Sequence, residues 1–165
     1  MTPRIFLCEP SSLSPSQRAL SDRWHERLFG LGFDVDQVRS DSYSRDPWKS
    51  LINRITTADG ALVLGFGQMF IASGTWRDGS PQQSHVVGAT WTSSWLQAEV
   101  GIALAAGVPV LVAPELGVSE GVFAPETWTG PVLGTGIDTP DVRVVEAWAA
   151  RVAVRSRSSA QGRTQ

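Results

Sequence analysis

The stretch WTSSWLQAEVGIALAAGVPVLVAPE, residues 91–115, decides the architecture. Ser93 or Ser94 can cap a helix by accepting from a free backbone N–H, and Gly107 followed by Pro109 stops it, so a helix is expected from about Trp95 to Ala106. Leu96, Val100, Ala103 and Leu104, with Ile102 and Ala106, make that helix apolar almost all round, as suits packing on a sheet through a wide face. PVLVAP then reads as a β-branched strand buried on both faces of a parallel sheet, with Glu115 at its carboxyl end. Glu99 is the helix's only ionisable residue. It lies one turn beyond Trp95, so ring and carboxyl share a face. A carboxyl beside a tryptophan, on a helix that starts at the carboxyl edge of a sheet, is placed to be partly desolvated and to serve as nucleophile or acid/base.

The pattern repeats outward from this segment. RIFLCEP reads as a first buried strand. Ser14 and Pro15 open a helix whose stripe of Leu20, Trp24, Leu28 and Phe29 ends at Gly30 and Gly32. FDVDQV reads as an edge strand, and after a polar loop Asp46 and Pro47 open a second helix with Leu51, Ile52 and Ile55 turned inward. GALVLGFG is a wholly apolar strand. From Gln68 to about Thr92 the composition is Gly, Ser, Pro and Gln, which reads as a long functional or mobile loop. PVLGTGI is a candidate fifth strand, and Thr139 or Asp138 is expected to cap a last helix from Asp141 to about Val154. The chain is therefore expected to form a single α/β domain over residues 1–155, followed by a disordered tail from Ser156 to Gln165.

Alternating strands and helices imply parallel strands with right-handed crossovers. Five of them point to a flavodoxin-like, Rossmann-like three-layer sandwich with strand order 2-1-3-4-5. Ligands bind such sheets outside the carboxyl ends of the strands, near the switch point between strands one and three. That rule gathers Glu9 and Ser11 after strand one, Gln68 and Met69 after strand three, Glu115 after strand four, and the start of the Glu99 helix. Trp48, Trp91 and Trp95 join them as aromatic walls.

The 165 residues, 42% hydrophobic and 18% charged, suffice for one core without disulfide or metal. A net charge of −2 offers no basic stripe for nucleic acid. The lone Cys8 suits a reducing compartment, and the absence of a leader or a membrane-length apolar run points to a cytoplasmic protein with no membrane partner. Seven tryptophans stand against one tyrosine. Trp24 and Trp148 fit helix packing, whereas Trp48, Trp76, Trp91, Trp95 and Trp128 lie in or beside loops, where large rings line pockets or subunit interfaces; a homo-oligomer is expected.

The chain has no P-loop, no GxGxxG after its first strand, no CxxC and no HExxH, so no metal or cofactor is expected. His25 reads as a surface residue, and His85 lacks a paired nucleophile. A carboxylate in an aromatic cleft suits cleavage of an N-glycosidic bond, whose transition state is cation-like at C1′; rings can stack on the base while Gln68 or Gln97 reads its edge.

WLQAEVGIALAAGVPVLV resembles the E-x-G-x-A-x-x-x-G-x-x-V-L segment of nucleoside 2-deoxyribosyltransferases and related nucleotide N-glycosidases, and equally the W-x-x-x-E-x-x-x-A-L-x-x-G segment of catalytic TIR domains. INRITTADGALVLG is similar to the run that precedes this segment in either family. The resemblance implies a flavodoxin-like sheet, Glu99 as the catalytic residue, and a small-molecule nucleoside, nucleotide or NAD-like substrate. A non-catalytic nucleotide-sensing or TIR-type interaction module is the alternative. The chain departs from the transferases in carrying CEPSS after strand one and Ser93 and Ser94 where they place an acid.

Overall fold

The computed structural model describes residues 2–37 and 46–162. Five parallel strands form the central sheet: β1 (Arg4–Cys8), β2 (Asp34–Gln37), β3 (Gly60–Gly65), β6 (Val110–Pro114) and β7 (Val132–Gly134), in the order β2-β1-β3-β6-β7. Counted within this sheet the order is the expected 2-1-3-4-5, and the switch point lies between β1 and β3. The polar loop expected before the second helix falls mostly on residues 38–45, outside the described residues.

Helices cover both faces. Phe6, Cys8, Ala61, Val63, Val110 and Val112 point toward α2 (Pro47–Thr56) and α3 (Ser94–Ala105), where Leu51, Ile55, Leu96, Val100 and Ala103 complete one core. Ile5, Leu7, Leu62, Leu64, Leu111 and Ala113 point the other way, toward α1 (Pro15–Gly30) and α4 (Val142–Gly162), which supply Leu20, Trp24, Leu28, Val145, Trp148 and Val152. Strand alternation sorts the side chains between these two cores, which is why β3 and most of β6 are apolar on both faces.

The caps follow local chemistry. Ser14 and Gln17 form a capping box at α1. Ser93 Oγ accepts from Trp95 N at α3, and Gly107, with φ of 65°, carries the chain away from its far end.

Four expectations are corrected. The stretch from Gln68 to Thr92 is no loop: β4 (Met69–Trp76) and β5 (Ser84–Trp91) pair antiparallel as a separate two-stranded ribbon. Its strands bury little, so they lack the apolar alternation that announces a strand packed on a core. Ile52 faces outward and is exposed, because Leu51 and Ile55 already fill the inner face of α2. The last helix is preceded by Asp141, whose carboxylate accepts from Arg143 N, rather than being capped by Asp138 or Thr139. It also runs to Gly162, through most of the segment expected to be a disordered tail. Ser156 is buried there, and Arg155 donates to the carbonyls of Thr56, Ala58 and Gly107.

Candidate active site

Glu99 is placed by the register between α3 and the sheet. Leu96, Val100 and Ala103 turn inward, which carries Glu99 to the flank of α3 against Cys8, the last residue of β1. Cys8 belongs to the same core as α2 and α3, and its thiol is enclosed. The Glu99 carboxyl therefore sits at the carboxyl end of β1, beside the switch point. Its Oε2 is fully enclosed without a hydrogen-bond partner among the described residues. Burial pushes the Glu99 pKa up to about 7, a shift that interaction with the Cys8 thiol partly offsets. Burial, and secondarily the Glu99 charge, push the Cys8 thiol well above its ordinary value.

Trp95 precedes Glu99 by one turn of α3. Trp95 stacks on Trp48 across α2 and α3, with ring centroids 4.9 Å apart and planes tilted by 34°, and both rings keep about half their surface open. Trp91 closes the base of the ribbon, paired with Met69 in the β4–β5 ladder. Gln68 N donates to Trp91 O, which fixes the turn from β3 into the ribbon. Gln68 and Met69 are both solvent-facing. Ser11 is exposed beyond the end of β1.

Two of the expected ligand carboxylates are engaged internally. Glu9, whose side chain is 2% exposed, accepts from Ser21 Oγ and Gln37 Nε2, each at 2.6 Å, and pairs with Arg18 at 3.7 Å. It ties β1 to α1 and β2. Glu115 Oε2 accepts from Gly67 N at 2.8 Å and Gln17 Nε2 at 2.9 Å, locking the loops after β3 and β6 to α1. Gln97 is also occupied: its amide receives Val122 N and donates to Glu120 O, docking the segment after β6 onto α3. His85 lies toward the tip of the ribbon, opposite Thr75, away from Glu99. Trp128 is a packing residue, its ring laid on Gly134, where a Cβ would meet it at 2.0 Å, and its indole N–H donated to Val122 O.

The sequence reading overlooked Glu120. Its Oε1 accepts from Thr92 N at 2.9 Å, while Glu120 Oε2 and Thr92 Oγ1 join Glu99 Oε2 as enclosed polar atoms without a partner among the described residues. Thr92 precedes α3, Glu99 lies midway along it, and Glu120 is on the loop docked against it. Nothing local marks Glu120 except the glycine that follows it in GVSEG. Among the described residues no group of His, Cys, Asp and Glu is arranged to hold a metal ion, and no helix is long and apolar enough to cross a membrane.

No protein-family model matches the chain, and no curated protein matches it in sequence. Among solved structures the fold is similar to that of the CMP N-glycosidase BcmB from Clostridium botulinum, with a TM-score of 0.53 over 87% of this chain and 96% of that one, at 14% identity.

Proposed function

We propose that the chain cleaves, or transfers across, the N-glycosidic bond of a nucleoside, nucleotide or NAD-like dinucleotide, with Glu99 as the catalytic residue. The observation that carries this reading is the Glu99 carboxyl: enclosed, with Oε2 short of a hydrogen-bond partner among the described residues, against the end of β1 and one helical turn beyond Trp95. A fold shared with a CMP N-glycosidase puts nucleoside monophosphates first among the substrates to try.

As the C1′–N bond lengthens, its electron pair leaves with the base and positive charge collects at C1′ and the ring oxygen. Ionised Glu99 either stabilises that charge or closes on C1′ as a glycosyl ester. Water then attacks C1′, gives up a proton and releases the carboxylate, while the departing base takes up a proton from solvent. A second base in place of water would make the reaction a transfer. Trp95, Trp48 and Trp91 hold the base by stacking, with Gln68, Met69 and Ser11 at the mouth. Glu9 and Glu115 set the loops around the pocket. Self-association of the chain belongs to the same proposal, and neither nucleic acid nor membrane is among the partners.

The test is to incubate the protein with CMP, other nucleoside monophosphates, nucleosides, deoxynucleosides and NAD, and to follow release of free base or nicotinamide by chromatography. Release that disappears in Glu99→Gln supports the enzyme. Binding of the same compounds by calorimetry without any release supports the sensing module instead.

A further inference from the structure

The ribbon formed by β4 and β5 is the part of the molecule that the proposed chemistry leaves unused beyond its base. Its strands pair with each other along their whole length and contribute no strand to the central sheet. A two-stranded ribbon of this kind is marginal in water unless something covers a face. Here the faces are bare: Phe70 is 69% exposed, Val87 68%, Met69 51% and Trp76 46%. Strand alternation sets Phe70 and Val87 on opposite sides. Trp76 meets Trp91 edge-to-face, ring centroids 5.4 Å apart, and that internal contact leaves Phe70 and Val87 uncovered.

We propose that this ribbon is an association arm and that its partner is a second copy of this chain, the two arms wrapping around each other about a twofold axis so that both faces are covered. Charge favours a like partner. Neither strand contains Lys, Arg, Asp or Glu, and the turn between them carries one cation, Arg77, and one anion, Asp78. Such a surface gives a polyanion or an acidic lipid face nothing to recognise, whereas an identical uncharged apolar surface is its natural complement. Size sets the mode of packing. A standard interface takes about 20 residues from each partner, which two eight-residue strands with their turn supply only when both faces are covered, so the arms must wrap around each other. A patch that meets itself about a twofold axis also closes the assembly at two copies instead of propagating it. Because the Met69–Trp91 pair adjoins Gln68, association would set the partner's arm beside the mouth of the candidate site. The inference gives the proposed self-association a surface and does not depend on the glycosidase chemistry.

The experiment is sedimentation equilibrium of the full chain over a wide concentration range, without nucleotide, so that its outcome is separate from any assay of base release. The expected result is a dimer. Phe70→Ser combined with Val87→Ser should weaken it about tenfold or more, with unchanged circular dichroism, because both side chains are exposed in the single chain. Val87→Lys sets two like charges against each other across the axis and should give the same dissociation by a different route. Phe29→Ser, at an exposed residue of α1, should leave the dimer intact. A wild-type chain that is monomeric throughout overturns the proposal, and so does a dimer as tight in both ribbon variants as in the wild type.

Discussion

Glu9 and Glu99 lie at the same end of the same sheet, yet the fold treats them in opposite ways. Glu9 collects a hydroxyl, an amide and a guanidinium, and nearly all of its side chain is enclosed. Glu99 is enclosed by an apolar helix face and a thiol, with Oε2 left without a partner. A buried carboxylate with full partners holds a structure together. One without them is an expense that a structural role does not explain, and such groups gather at functional sites.

The comparison is broken most directly by activity. Glu99→Gln should lower the rate of base release by about 10²- to 10⁴-fold, whereas Glu9→Gln, measured on protein that remains folded, should lower it far less. A Glu99→Gln enzyme that keeps its rate ends the assignment.

Stability offers the next contrast, because the same chemical change should have opposite signs. At pH 8, Glu9→Gln should destabilise the fold by about 1–3 kcal/mol, since its donors lose a charged acceptor. Glu99→Gln should stabilise it, on the order of 1–3 kcal/mol. The sign for Glu99 follows from its raised pKa: between the unfolded value near 4.5 and the folded value near 7 the native state holds the extra proton, so stability falls as pH rises through that window. The gain in Glu99→Gln should accordingly shrink as pH falls from about 7 and be gone below about 4.5, which urea melts at several pH values would read.

The pH profile sharpens the same point. If ionised Glu99 does the work, kcat should fall about tenfold per pH unit on the acid side, with the limb centred near 7. Cys8→Ala is the smallest perturbation. Without the thiol that favours the charged form, the limb should move upward by a fraction of a unit, and Cys8→Ser should restore part of the shift.

Much of this was readable in the chain itself. GALVLG and PVLVAP could only be strands buried on both faces, and Glu99 stood out as the sole ionisable group in an apolar helix. What the sequence did not show depends on pairings between distant positions. Glu9 and Glu115 looked like ligands because their partners, Ser21, Gln37, Gln17 and Gly67, are brought to them by the fold. Cys8 and Glu99 meet only through the register of α3 on the sheet. The ribbon read as a loop because its strands have no core to pattern them, which is also why its apolar side chains remain available to another molecule.

The three carbonyls held by Arg155 belong to Thr56, Ala58 and Gly107, in the connections that lead into β3 and β6. Trp148 secures Pro109 O from the same helix. The entry ends of β3 and β6 are thus sealed by a helix that follows both of them in the chain. A nascent chain that has already emerged through Glu120, with every residue of the candidate site, still lacks the floor beneath it. Completion of that floor waits on α4, and a chain cut just before Arg155 should be open at the bottom even though the mouth of the candidate site is entire.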